Sequence, residues 1–235
     1  MVGNLSLVSD VVLWGIVGPT NGHRYILSAE YAPKAANKGI SYSAYEGDYR
    51  KYWKFWKRYN FVFRLAGGAS YGQTPKLFFL GGATNQITSS VNNQLAYTPE
   101  GFYASSVVTP LRGIDYYELV GNRYFLTNWE FRFPFVDELQ TRFPLAMILN
   151  WIEGVMFLDA GAAWNKGQAF QPFSGADDPN TLEFEGSRLK DLKSGFGFGA
   201  RANLGLFVLR WDMAWKTDFD RTSSPRHYFS FGADF

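Results

Sequence analysis

The chain has 235 residues, 19% of them aromatic (22 Phe, 14 Tyr and 8 Trp), with 24 Gly, no Cys and a net charge of +2. That balance excludes a disordered chain, which needs few aromatic residues and a high net charge, and it excludes a disulfide framework or a cysteine-based zinc site. The charge is also too small, and the basic residues too dispersed, to point to a nucleic-acid partner.

The sequence opens Met1-Val-Gly-Asn-Leu-Ser, with no basic stretch and no long apolar run, so no secretory leader is read there. From that point the dominant pattern is alternation with period two. Strands are predicted near 11–17, 23–32, 40–56, 60–72, 123–134, 152–164, 194–203, 206–216 and 227–235. Between Phe61 and Ala69 the odd positions read Phe, Phe, Leu, Gly, Ala, against Val62, Arg64, Ala66 and Gly68. Between Phe125 and Phe133 they read Phe, Thr, Trp, Phe, Phe, against Leu126, Asn128, Glu130 and Arg132. Phe196 and Phe198 alternate with Gly195, Gly197 and Gly199, and from Phe207 to Trp215 the apolar odd set faces away from Arg210 and Asp212. At the end Phe229, Phe231 and Phe235 stand opposite Tyr228, Ser230 and Asp234. The 40–56 segment is the least clean, because Trp53, Phe55 and Trp56 fall on both faces. A membrane helix needs about 20 apolar residues in a row. The best candidate, Phe143 to Trp164, is broken by Asn150, Glu153 and Asp159.

Two architectures show this alternation. In a soluble sheet the apolar face is core; in a membrane barrel it meets lipid and the polar face lines the lumen. Connection lengths favour the barrel. A tight turn at Asn203-Leu204-Gly205 contrasts with polar loops over 164–193 and 216–226, the asymmetry of outer-membrane barrels. The fold class expected is therefore all-β, a transmembrane antiparallel barrel of the outer-membrane type, with about nine strands here. The stretch 73–122 reads as one long insertion rich in Gly, Asn, Ser and Thr, without regular structure of its own.

No catalytic motif survives its structural requirement. Gly68-Ala69-Ser70-Tyr71-Gly72 spells the nucleophile-elbow pattern, but Ser70 continues a strand and no helix follows. Gly195-Phe196-Gly197-Phe198-Gly199-Ala200 fits a dinucleotide fingerprint, yet the chain turns into another strand. His23 and His227 are solitary. Neither an enzyme, a cofactor nor a metal is expected. Arg112, deep in the insertion, is the more telling residue. A guanidinium folded into a low-dielectric lumen needs carboxylates, and Glu130 and Asp159 lie on the predicted inward faces of neighbouring strands.

Several spaced motifs then occur in one order: Leu111-Arg112-Gly113-Ile114, Gly121-Asn122, Asn128-Trp129-Glu130-Phe131-Arg132-Phe133-Pro134, and Phe157-Leu158-Asp159-Ala160-Gly161. Together they resemble the bacterial surface antigen barrel of the Omp85 superfamily, whose members insert or translocate proteins at the outer membrane. The likeness extends back through Gly81-Gly82 and Tyr52 to Gly22-His23-Arg24-Tyr25 and on to the terminal Phe235. Leu111 and Ile114 depart from the family's usual Val and aromatic residue. The resemblance implies that Arg112 is the tip of an extracellular loop folded into the lumen. Glu130 and Asp159 would be its partners, and Gly113 would permit the tight tip. Phe229, Phe231 and Phe235 would form the C-terminal aromatic assembly signal. It further implies a sixteen-stranded barrel, so nine strands read as the C-terminal part of a longer or split protein. The partners implied are outer-membrane lipid, unfolded outer-membrane or secreted protein substrates, and periplasmic domains or accessory subunits, with no nucleic acid. The alternatives are a passive pore built on the same barrel and a membrane anchor for an upstream domain.

Overall fold

The structure, a computed structural model, describes residues 2–34, 39–87, 105–141, 147–174, 188–205 and 207–232. Its strands in chain order are β1 (Gly3–Trp14), β2 (Pro19–Ala32), β3 (Tyr42–Trp56), β4 (Tyr59–Gly72), β5 (Leu77–Leu80), β6 (Ser105–Val108), β7 (Leu119–Gly121), β8 (Arg123–Thr141), β9 (Met147–Trp164), β10 (Phe173–Ser174), β11 (Arg188–Leu189), β12 (Lys193–Asn203), β13 (Val208–Thr217) and β14 (Arg226–Phe231). Nine of them form one antiparallel sheet in the order β1-β2-β3-β4-β8-β9-β12-β13-β14. β1 and β14 are its two edges, and among the described residues they do not pair with each other, so the sheet is curled but unclosed.

Alternation decides which face is which. In β8, Leu126, Asn128, Glu130 and Arg132 are buried on the concave side, while Phe125 and Trp129 are exposed on the convex side. β12 and β13 follow the same rule, with Phe196 and Phe198 outside and Arg201, Arg210 and Asp212 inside. A broad aromatic outer surface is what a lipid-facing sheet presents, and it would be anomalous on a protein bathed by water. Short turns at 15–18, 57–58 and 203–205 lie at one end of the strands; the long connections lie at the other. The curl is tight enough that the first short turn reaches across the concave side. Asn203 Nδ2 donates to Ile16 O at 2.7 Å, and Arg132 Nη1 donates to Pro19 O at 3.2 Å.

The structure corrects several sequence expectations. The first hairpin begins earlier than 11–17: β1 starts at Gly3 and turns at 15–18, because Gly15 N–H donates to Gly18 O at 2.8 Å. The mixed faces of Trp53, Phe55 and Trp56 come from a register slip between Lys54 and Trp56, which breaks the period at the end of β3. β9 reaches back to Met147, so the described part of the apolar segment, Met147–Trp164, is strand. Most consequentially, 73–122 is not structureless. It contributes a small sheet, β6-β5-β7, with β5 parallel to β6 and antiparallel to β7.

That small sheet sits on the concave face. Phe78, Leu80, Val108, Leu111 and Ile114 from the insertion pack with Ala66, Tyr124 and Leu126 of β4 and β8 as one buried cluster. Each such side chain contributes about 1.5–3 kcal/mol when fully buried. The insertion is thus bound to the inner wall by apolar contact before any ion pair is counted.

Candidate functional site: the loop tip in the concave face

Leu111-Arg112-Gly113-Ile114 lies between the small sheet and the inner walls of β8, β9, β12 and β13. Two glycines make that approach possible. Gly113 has φ +88°, a conformation that favours glycine, and a Cβ there would lie 2.9 Å from the Trp215 backbone. Gly195 of β12 has no side chain where one would meet the Arg112 carbonyl oxygen at 1.9 Å. The tip is pinned through its backbone as well. Gly113 N–H donates to the Tyr228 hydroxyl at 3.0 Å, and Arg112 N–H donates to Asp159 Oδ2 at 3.0 Å.

The Arg112 side chain is fully buried. Its Nε donates to Asp159 Oδ2 at 2.7 Å, its Nη2 to Asp159 Oδ1 at 2.9 Å, and its Nη1 to Glu130 Oε1 at 2.9 Å. The guanidinium lies 3.6 Å from the Phe157 ring centroid, a cation–π contact worth about 2 kcal/mol when desolvated. Burial alone would lower the Arg112 pKa, but Asp159 and Glu130 outweigh it and hold it above the usual guanidinium range. The cation is fixed.

Cross-strand pairing explains why the two carboxylates converge. Asn128 of β8 stands opposite Asp159 of β9, and Glu130 is two positions further along the same inward face. Asn128 Nδ2 donates to Asp159 Oδ1 at 2.8 Å and to Pro110 O at 2.9 Å, tying the loop to the carboxylate through one amide. Glu130 also accepts from Arg132 Nη2 at 2.8 Å and from Arg201 Nη2 at 2.8 Å. Asp212 lies 3.6 Å from Arg112 Nη1 and 3.7 Å from Arg210 Nη2. Four guanidiniums and three carboxylates therefore share one desolvated cluster, which is stable only while its members pair.

Further ties hold the loop on either side of the tip. Arg64 Nη1 donates to Thr109 O at 2.6 Å while its Nη2 pairs with Asp48 at 2.6 Å. Lys216 pairs with Glu118, and Arg226 with Asp115. Lys76 reaches Glu30 and Glu46, each at 2.8 Å. Ser70, the serine of the G-x-S-x-G sequence, is buried and accepts from Lys76 N–H at 2.8 Å, a loop contact with no histidine among its hydrogen bonds. Among the described residues no group of three or more His, Asp or Glu side chains is arranged to hold a metal ion.

The structure thus brings Arg112, Gly113, Glu130 and Asp159 into one site. Phe229 and Phe231 lie elsewhere, exposed on the outer face of β14, and Phe235 lies outside the described residues. Residues that sequence reasoning did not assign to the site are Asn128, Arg132, Phe157, Arg201, Arg210, Asp212 and Tyr228. Their inward parity was readable from the alternation. Their mutual contact was not, because it depends on how far the sheet curls. A family model describing the Omp85 superfamily domain matches residues 15–235. No curated protein matches the chain.

Proposed function

Because the chain belongs to the Omp85 superfamily of outer-membrane β-barrels, concerned in general with protein insertion and translocation, we propose that it handles client proteins at the outer membrane. In this reading it inserts or translocates unfolded outer-membrane or secreted proteins without covalent chemistry. The reading rests on one observation above the others: Arg112, from a loop, is fully buried between carboxylates of β8 and β9. A loop tip anchored this firmly keeps the concave side filled and orders the wall against which it sits.

The work done on a client is strand pairing. In this reading β14, the last strand of the sheet, is one side of a weak seam at which an extended client segment adds by β-augmentation. The exposed Phe229 and Phe231 continue the aromatic surface that lipid would cover. The partners proposed are outer-membrane lipid, unfolded client strands, and periplasmic domains or accessory subunits that deliver them.

The test is Arg112→Ala in the full protein reconstituted into lipid vesicles, with folding of an added outer-membrane client as readout. Loss of client assembly with the barrel still inserted is the expected result. Unchanged assembly would remove the site from the mechanism. A large, steady, ungated conductance from the parent protein, without client assembly, would favour a passive pore.

A further inference from the structure

Gly47 of β3 and Gly67 of β4 stand directly opposite each other on the outer face, in the middle of long strands. Glycine weakens a strand interior, and there it marks a bulge, a close internal approach, or a place where a ligand lies against the sheet. The first two reasons do not apply to this pair. The β2–β3, β3–β4 and β4–β8 ladders keep register through the row, and neither glycine has a left-handed φ. A Cβ on Gly47 would meet only Leu27 Cδ2, at 3.3 Å, and one on Gly67 only Tyr124 O, at 3.4 Å. Gly195 and Gly197 of β12 are different, because backbone oxygens lie 1.9 and 2.0 Å from where their Cβ atoms would stand. The protein's own packing thus gives no reason for glycine at 47 and 67.

The row reads Leu27, Gly47, Gly67, Phe125 across β2, β3, β4 and β8. It forms an apolar groove of about 600 Å³, walled by Leu27 and Phe125 and closed toward the short turns by Tyr49 and Leu65. Toward the long connections the next outward row carries Tyr45, Ala69 and Arg123, about 7 Å away at the spacing of two strand residues. The small Ala69 leaves the way from the groove to Arg123 clear. Tyr31 and Tyr71 lie one row further, and with Tyr45 these exposed tyrosines mark the boundary between hydrocarbon and water. The Arg123 guanidinium lies 5.6 Å from the Tyr71 ring centroid. Its Nε is shielded from water and has no hydrogen-bond partner among the described residues. No carboxylate occupies an outward position of these four strands within 23–31, 43–53, 61–71 or 123–131.

We propose that this groove is the seat of one anionic lipid, with its phosphate headgroup on Arg123 and one acyl chain laid over Gly47 and Gly67 between Leu27 and Phe125. Contact with lipid is general to such a face; a single seat with a charged end is not. Charge complementarity selects the headgroup, because a guanidinium without a carboxylate on its own face pairs readily with a phosphate. The level agrees: a cation is tolerated on a lipid-facing wall near the boundary, and the groove lies deeper, where the hydrocarbon is. The chain gains contact on three sides, from the two walls and the glycine floor. The lipid comes from the leaflet at the long-connection end. The seat is on the face opposite Arg112 and stands whether or not the protein handles clients.

The test is native mass spectrometry of the full protein released from detergent micelles that contain equal amounts of phosphatidylglycerol and phosphatidylcholine. The parent should retain one phosphatidylglycerol in preference to phosphatidylcholine. Gly67→Leu fills the groove and should weaken that retention about tenfold. Arg123→Gln removes a charge-assisted hydrogen bond and should abolish the preference between headgroups, again about tenfold. Equal retention of the two lipids by the parent overturns the proposal, and so does retention by Gly67→Leu that matches the parent's. Should Gly67→Leu not fold, the parent is photolabelled with phosphatidylglycerol carrying a diazirine in its acyl chain. Labelling concentrated around Gly47 and Gly67 and on Leu27 and Phe125 supports the seat; labelling spread evenly over the outer strands overturns it. Neither readout involves a client, so failure of the client-handling reading leaves this test intact.

Discussion

Gly195→Ala isolates the loop's seat from its charges. The substitution adds one methyl group on the inner face of β12 and alters no ionisable residue. Its Cβ would stand 1.9 Å from Arg112 O. Ordinary contact requires a retreat of about 1.5 Å or more. Arg112 N–H to Asp159 and Gly113 N–H to Tyr228 are both 3.0 Å, so the same displacement carries them out of hydrogen-bonding range. Overpacking costs about 1–3 kcal/mol, and weakening a charge-assisted bond costs about 1.5–3 kcal/mol. The expected loss is therefore about 2.5–6 kcal/mol. Gly47→Ala is the matched control: its Cβ meets only Leu27 Cδ2, at 3.3 Å, and the change should stay within about 1 kcal/mol. Denaturant unfolding in detergent micelles, followed by tryptophan fluorescence, gives the stability. Limited proteolysis within 105–122 reports whether the loop has left the wall. A Gly195→Ala protein as stable and as protected as the parent would refute the claim that this glycine seats the tip.

Other consequences are open to measurement. Asp159→Asn keeps the shape but turns an amide toward donors from Arg112 and Asn128, and should destabilise the protein by about 3–5 kcal/mol in the same unfolding assay. Tyr228→Phe removes the hydroxyl that accepts from Gly113 N–H; a loss of about 1 kcal/mol with faster amide exchange at Gly113 is expected, and unchanged exchange would contradict it. Glu118 gives a pH dependence. Burial alone would raise its carboxyl, but hydrogen bonds from Lys216 and from Asp115 N–H, with Arg226 nearby, hold it below the usual range. Its folded pKa is thus below the unfolded one, so its contribution is present above the unfolded value and lost as pH falls through the folded value. Hydrogen exchange over 115–118 should therefore quicken as pH falls below about 4, once corrected for intrinsic rates, and Glu118→Gln should flatten that change.

Strands and faces were legible in the sequence because period two is a local property. Phe196 and Phe198 against Gly195, Gly197 and Gly199, or Phe125 and Trp129 against Asn128 and Glu130, declare inside and outside without any knowledge of neighbours. The same parity marked Glu130 and Asp159 as inward residues, and the ordered motifs around them carried the family resemblance. Local pattern failed where the register slips, at Lys54–Trp56, and where strands are too short to alternate. β5, β6 and β7 have three or four residues each, and they lie in a segment whose composition reads as loop.

Tertiary structure alone decided what the inward residues meet. Asn128 and Asp159 become neighbours through the β8–β9 register, and Arg201 reaches Glu130 only because the sheet curls across its own concave face. The seat of Arg112 depends on a glycine 83 positions away in sequence. The physical reason is range. Alternation is written in residues two apart, whereas a desolvated charge cluster is stable only when strands distant in sequence close around it and bring opposite charges together.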